Sequence, residues 1–191
     1  MSDSAADGPA YGADGLLYDP LVRTLLTGLP ADVLPVAEAF AAIDRTARVS
    51  RRLFERWAAV HGLSETRLQA LLILRQQPEG GMPLARLARA LEITPPSLTG
   101  LLDSLEADGL VTRTPDPADR RSVRARLTRV GRKQVDELWP DHLEQQRGIT
   151  EGITAAELVA LRHLCLRLLA NLRRAADEAE AARGGGDQHG R

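Results

Sequence analysis

The chain has 191 residues, of which 43% are hydrophobic and 27% charged, and these values suit one domain or two closely packed ones. Its formal net charge of −1 neither favours nor excludes a nucleic-acid partner. The single cysteine, Cys165, excludes an intramolecular disulfide, and the lack of a signal-peptide pattern or of an apolar run near ~18 residues predicts a cytoplasmic protein with no membrane partner.

The charges are unevenly distributed along the chain. Residues 111–133 contain eight basic side chains against two acidic ones, a net charge of +6. Residues 1–44 contain one basic side chain against seven acidic ones, a net charge of −6. The basic segment is therefore a candidate anion-binding surface.

Helices should dominate the fold, because leucine and alanine supply most apolar side chains and only 3% of residues are aromatic.

Residues 1–15 are rich in Ser, Asp, Gly and Ala, and we expect them to be disordered. Residues 16–29 predict a short helix or clamp, which Pro20 and Pro30 limit. A long helix is predicted from about Pro35 to Val60. Its apolar seam, with spacings of three and four, suits another helix and consists of Phe40, Ile43, Ala47, Ser50, Phe54 and Trp57.

A second helix is predicted from Ser64, a candidate cap, to about Gln77. A short helix over about 84–90 and a turn at 91–93 follow. The next helix has Thr94 as its N-cap and Pro95 at its first position, and it ends near Asp108. The sequence predicts two strands, at residues 110–113 and 122–127, joined by a loop.

Two long helices are predicted for the rest of the chain. Thr128 can cap the first, which Pro140 is expected to kink or interrupt. The last begins with a capping box, Thr154 and Glu157. Its apolar seam consists of Leu158, Leu161, Cys165, Leu168 and Leu172.

The predicted fold class is mainly α with a small β-wing: a winged helix-turn-helix lobe plus a helical dimerisation domain. Such a lobe places its second helix in the major groove, where base edges are distinguishable. Its hairpin can insert an arginine into the minor groove. The predicted segments are a disordered tail at 1–15, an extension and first dimerisation helix at 16–60, the DNA-binding domain at 64–133, dimerisation helices at 134–183 and a disordered tail at 184–191.

Three segments resemble the MarR family of transcription regulators. They are residues 91–99 (LEITPPSLT), residues 102–111 (LDSLEADGLV), and residues 116–121 (DPADRR) followed by Leu127, Thr128 and Gly131. The resemblance spans about residues 36–172. It implies a homodimeric regulator of a palindromic operator, usually a repressor, that loses DNA affinity when a small molecule or oxidant binds.

The resemblance also implies roles for individual residues. Arg121 would enter the minor groove, Asp119 would hold the wing by pairing with an arginine, and Arg120 would contact phosphate or Asp119. Gly100 stands where many relatives carry an arginine, so base recognition should depend more on Ser97, Thr99 and groove shape. The predicted DNA-binding set is Thr94, Ser97, Thr99, Gly100, Arg113, Arg120, Arg121 and Arg124. The alternative is a solvated basic hairpin, and Asp103 is more often structural than a DNA contact.

A ligand pocket would lie where the dimerisation helices meet the DNA-binding lobe. The candidate effector-binding residues are Trp57, His61, Arg67, Leu71 and Arg75, although Trp57 and Leu71 are also typical core residues. The segment 16–29 resembles the extension of relatives that sense urate or other aromatic acids. Gln69, where an acid is expected, argues against urate.

The alternative hypothesis is a helical small-molecule-binding or redox protein that acts through Cys165, with weak or vestigial DNA binding. Against it, Cys165 occupies an apolar seam position, where cysteine behaves as a small hydrophobe. The histidines lack metal-ligand spacing, and phosphate loops, nucleophile elbows and catalytic acid pairs are missing from the sequence. We therefore predict a non-enzyme with no cofactor, no metal and no catalytic residues.

Overall fold

The computed structural model describes residues 8–119 and 121–185. Its contacts divide the chain into two units, Met1–Asp136 and Glu137–Arg191. The helices are α1 (Pro20–Leu25), α2 (Leu34–Val60), α3 (Glu65–Arg75), α4 (Leu84–Leu91), α5 (Pro95–Ala107), α6 (Arg129–Ile149) and α7 (Ala155–Gly185). The strands are β1 (Ala10–Tyr11), β2 (Leu17–Tyr18), β3 (Met82–Pro83), β4 (Val111–Pro115) and β5 (Val123–Leu127). This arrangement confirms the predicted fold class of mainly α with a small β-wing, while the dimerisation role of the helices stays a prediction.

The N-terminal unit begins with a hairpin in which β1 pairs antiparallel with β2. Asp14 supplies its turn by accepting the backbone N–H of Leu16 at 3.0 Å, and Gly15 adopts a φ of 75°. The expectation of disorder over residues 1–15 is therefore wrong for 10–15, because a side-chain-capped turn lets two short strands pair. Residues 1–7 lie outside the described part of the chain.

Helix α1 lies against α2 through ion pairs. Asp19 caps α1 by accepting the N–H groups of Leu21 and Val22 at 3.0 and 3.2 Å. Arg23 Nε donates to Glu38 Oε1 at 2.7 Å, and Arg45 pairs with Asp19. The predicted helix or clamp over 16–29 is thus a strand followed by a six-residue helix.

The core of this unit lies beneath α3, α4 and α5. The largest fully buried side chains there are Leu68, Leu71, Leu74, Leu87, Leu102 and Leu105. The sheet has the order β3-β5-β4, so the predicted two-stranded wing gains a third strand from the segment before α4. Gly81 makes this possible: its φ is +70°, and a Cβ there would lie 2.2 Å from the carbonyl oxygen of Ala125.

Helix α6 begins against the end of α5. Thr128 donates its hydroxyl to the carbonyl of Gly109 at 2.6 Å and accepts the N–H of Gly131 at 3.0 Å. The helix continues through Pro140 to Ile149, so the predicted interruption does not occur. Proline removes one helical hydrogen bond, and the turns on both sides maintain the helix.

The C-terminal unit contains the rest of α6 and α7. The predicted capping box is confirmed: Glu157 Oε2 accepts the N–H of Thr154 at 2.8 Å, and Thr154 Oγ1 accepts the N–H of Glu157 at 3.3 Å. Helix α7 extends to Gly185, so the predicted disordered tail is wrong for 184–185 because the helix persists there, and residues 186–191 lie outside the described chain. Within the described residues, no helix is long and apolar enough to cross a membrane.

Candidate nucleic-acid interface

The interface is built around the turn between α4 and α5. Glu92 ends α4 in the left-handed conformation, with a φ of 53°. Thr94 caps α5 by accepting the N–H of Ser97 at 3.4 Å, and the two hydroxyl oxygens lie 2.9 Å apart. Pro95 occupies the first helical position, where its missing N–H has no cost. Local sequence therefore fixes the start of the helix.

Helix α5 is sharply divided between a buried and an exposed side. Leu98, Leu102 and Leu105 are buried at 3%, 0% and 0% exposure. The predicted contacts Thr94, Ser97, Thr99 and Gly100 are all exposed. Thr99 donates its hydroxyl to the carbonyl of Pro95 at 3.1 Å, and a Cβ at Gly100 would have no atom within 4 Å. All four residues thus lie on the solvent-exposed part of α5 and its N-cap.

Arg113, another predicted DNA contact, lies at the start of the wing and is engaged by the protein itself. Its Nε donates to Glu106 Oε2 at 2.8 Å, and its backbone N–H donates to Glu106 Oε1 at 2.6 Å. It also pairs with Asp103. Hydrogen bonds from Glu106 and then Asp103 raise the pKa of Arg113 above its usual value.

Arg124 is held in a similar way at the root of the wing loop. Its Nη1 donates to Asp116 at 2.8 Å, while Nε and Nη2 donate to the carbonyls of Gly80 and Gly81 at 2.8 and 2.7 Å. The side chain of Asp116 is 8% exposed. The Ala118 N–H, and then the Arg124 guanidinium, lower the pKa of this carboxyl. Arg124 therefore links the wing to the segment that connects α3 with α4.

The wing tip presents Arg121. Asp119 Oδ1 accepts the N–H of Arg121 at 3.0 Å, and the carbonyl of Asp119 accepts the N–H of Ser122 at 2.8 Å. Asp119 thus helps to shape the loop through its backbone bonds, and its pairing with an arginine stays a prediction; Asp116 and Arg124 form a second acid–arginine pair in the wing. Arg121 is exposed, and Arg120 lies outside the described residues.

Sequence reasoning missed Glu106 and Asp116 as partners of the two predicted DNA-binding arginines. For Glu106, the available signal was its position three residues after Asp103, which puts two carboxylates on one face of the helix. For Asp116, the signal was its place directly after β4, close to Arg124 on the neighbouring strand.

The predicted effector-binding residues form separate contacts. Trp57 and His61 meet edge to face, with ring centroids 5.2 Å apart. Leu71 is fully buried in the core. Arg67 pairs with Asp108, and Arg75 Nε donates to Asp136 at 2.8 Å.

A cavity of approximately 430 Å³ lies between α1 and α2, and none of the five predicted effector-binding residues lines it. Its lining residues are Leu21, Val22, Ala41, Asp44, Arg45, Arg48, Val49 and Arg52.

Two further polar groups lie in the C-terminal unit. His142 is 6% exposed, and its Nε2 lies 3.1 Å from Gln146 Nε2. Burial lowers the pKa of His142. Cys165 is exposed, and its redox role stays a prediction. Among the side chains in the described ranges, His, Cys, Asp and Glu form no group suited to a metal ion.

Comparison with known proteins identifies the family. A profile of the MarR family matches residues 63–123. The crystal structure of a MarR-family transcriptional regulator from Silicibacter pomeroyi is 31% identical, with a TM-score of 0.62 over 75% of this chain and 95% of that protein. The chain belongs to the MarR family.

Two other similar proteins carry informative descriptions. YetL of Bacillus subtilis, an HTH-type transcriptional repressor, is 27% identical over 120 residues, which are 63% of this chain and 72% of YetL. NadR, solved in complex with 4-hydroxyphenylacetate, is 25% identical, with a TM-score of 0.59 over 67% of this chain and 89% of NadR. This MarR-family chain is a DNA-binding transcriptional regulator and not an enzyme.

Proposed function

We propose that the chain is a homodimeric repressor that binds a palindromic operator and releases it when a small aromatic acid binds. The observation that carries the DNA-binding part is the pairing of an open α5 surface, backed by buried leucines, with an exposed arginine at the wing tip. The repressor role is supported by the description of YetL.

In this proposal α5 enters the major groove and the wing follows the adjacent minor groove. Thr94 and Ser97 lie at the start of α5, where hydroxyls and backbone N–H groups favour a phosphate or a base edge. Thr99 and Gly100 follow on the same exposed surface. Arg121 supplies the minor-groove cation, with Arg120 as a predicted second contact.

The dimer part is supported by apolar side chains that remain exposed on the long helices. On α2, Val36, Phe40 and Ile43 are 54%, 44% and 42% exposed, at spacings of four and three. On α7, Leu161 and Leu172 are 54% and 48% exposed. Exposed apolar side chains that recur at helical spacing on one helix support an interface there. We therefore assign dimerisation to 16–60 and 134–183, and DNA binding to 64–133.

The effector part is supported by the ligand of NadR, which combines an aromatic ring with a carboxylate. Trp57 and His61 form an aromatic pair that can pack against a ring. Arg67 and Arg75 can bind a carboxylate by exchanging their present partners, Asp108 and Asp136. Leu71, buried beneath them on α3, forms part of the supporting core rather than a polar contact.

A duplex selected from a random library by the wild-type protein tests the proposal. We expect the selected sites to be palindromic, with half-sites about one helical turn apart, and the complex to contain two protein chains by analytical ultracentrifugation. Adding 4-hydroxyphenylacetate should weaken binding. Selection of sites without two-fold symmetry would contradict the dimeric operator, and an unchanged Kd with 4-hydroxyphenylacetate would contradict this class of effector.

A further inference from the structure

The contact between Arg113 and α5 joins the recognition helix to the wing. Glu106 accepts both the backbone N–H and the Nε of Arg113, at 2.6 and 2.8 Å, so both the strand backbone and the guanidinium are attached to one carboxylate. The guanidinium Nη2 also lies 2.6 Å from Glu106 Oε2 and pairs with Asp103. The planar guanidinium is therefore oriented by two carboxylates.

The spacing of the two acids gives this contact a geometric effect. Asp103 and Glu106 are three residues apart on α5, so they lie about one turn apart on the same face of the helix. A rigid, planar group bonded to both fixes the rotation of α5 about its axis as well as its distance from β4. Rotation matters because it decides which side chains of α5 face a groove.

The two carboxylates are unexpected on a DNA-binding helix. The side chains of Asp103 and Glu106 are 58% and 29% exposed, and their charges repel phosphate. Their interaction with Arg113 explains why two carboxylates are present on this helix, which direct contact with DNA does not explain. The Arg113 side chain is 29% exposed, and its guanidinium already donates to both acids.

We propose that Arg113 is a positioning residue, and not a DNA contact: with Glu106 and Asp103 it locks the recognition helix in the rotation that presents Ser97, Thr99 and Gly100 to the major groove. This inference rests on the DNA-binding function of the lobe and extends it to a residue behind the contact surface.

The test measures fluorescence anisotropy of the full-length protein with the selected duplex and with random duplex, across a salt series. We expect Arg113→Gln and Arg113→Lys each to weaken specific binding about tenfold to a hundredfold. Lysine does not rescue because it cannot reproduce the planar, forked contact. The slope of log Kd against log salt should stay at the wild-type value, since no phosphate contact is lost.

Glu106→Ala separates the two roles by the sign of its effect. Positioning predicts weaker specific binding, because α5 loses its anchor. A direct Arg113–DNA contact predicts equal or tighter binding, because a repelling carboxylate is removed. In the Glu106→Ala background, Arg113→Gln should cost less than it does in the wild type, since only the pair with Asp103 then remains to be broken.

The proposal is overturned if Arg113→Lys binds like wild type, if the salt slope falls by about one, or if Glu106→Ala leaves specific binding unchanged or tightens it. Thermal unfolding and stoichiometric titration give the folded, active fraction of every variant. If Arg113→Gln does not fold, Arg113→Lys and Glu106→Ala still test whether Arg113 positions the helix. Failure of the repressor proposal would show in the wild type, whereas failure of the Arg113 proposal shows only in the variants.

Discussion

Two helical glycines in the DNA-binding lobe should respond to alanine in opposite directions. Gly100 lies inside α5, and a Cβ there meets no atom within 4 Å. Gly131 lies inside α6, and a Cβ there would lie 2.0 Å from the carbonyl oxygen of Leu110. The substitution and its helical setting are the same, so the difference isolates the effect of packing.

The magnitudes follow from the helix propensity and from the clash. Alanine in a helix interior is favoured over glycine by roughly 0.5–1 kcal/mol, so Gly100→Ala should stabilise the protein by that amount. This corresponds to a rise in Tm of about 1–4 °C for a chain of this size. Gly131→Ala gains the same propensity but forces a backbone carbonyl to move, and overpacking of this kind costs about 1–3 kcal/mol or more. Because the clash is with backbone, the cost should lie at the upper end of this range, about 3 kcal/mol, and the net loss should be about 2 kcal/mol.

Chemical denaturation of both variants, with far-UV circular dichroism as the signal, measures these differences. DNA binding by Gly100→Ala gives a second result: if the bare backbone of α5 approaches the bases, the added methyl group should weaken specific binding although it stabilises the free protein. The reasoning is refuted if Gly100→Ala destabilises the protein, or if Gly131→Ala is neutral.

Three further predictions concern single groups. Burial lowers the pKa of His142, so the unfolded chain binds a proton at this residue more readily, and the free energy of unfolding should fall as the pH drops below about 6.5. His142→Gln should flatten this part of the pH–stability curve, and an unchanged curve would contradict the burial of a neutral His142. Because the pKa of Asp116 is lowered in the folded protein, its ionised carboxylate should stabilise the wing above about pH 4, and this stabilisation should be lost as the pH falls further. Nuclear magnetic resonance of the wing amides should show the loop loosening at low pH, and in Asp116→Asn the loop should be loose already at neutral pH. Equal wing spectra for both proteins at pH 7 would exclude a stabilising pair between Asp116 and Arg124. Thr154→Ala should cost about 1 kcal/mol by removing the N-cap of α7, seen as faster hydrogen exchange in its first turn, while unchanged exchange would mean that the capping box is dispensable.

Local signals in the sequence were sufficient to predict the recognition helix. Thr94 and Pro95 determine where α5 begins, and the spacing of its leucines determines which side is buried. Thr154 and Glu157 predicted the start of α7 for the same reason, since a cap depends on residues only three apart. The exposed surface of the candidate site was therefore accessible from sequence alone.

Contacts between distant segments were not predictable in this way. Arg124 donates to Gly80, 44 residues earlier in the chain, and nothing in a basic hairpin distinguishes an arginine bound by the protein from one free to bind DNA. Strand β3 has two residues, too few to show a hydrophobic period, and it exists because Gly81 allows close approach to β5. The hairpin at 10–18 likewise depends on one turn and not on composition.

The most direct test of DNA binding through the wing compares Arg121→Ala with the wild type in anisotropy titrations of the selected duplex over a salt series. Minor-groove binding by Arg121 predicts an affinity loss of about tenfold or more and a salt slope smaller by about one. If Arg121→Ala binds the duplex with the wild-type Kd and salt slope, the wing tip does not contact DNA and the central claim is wrong.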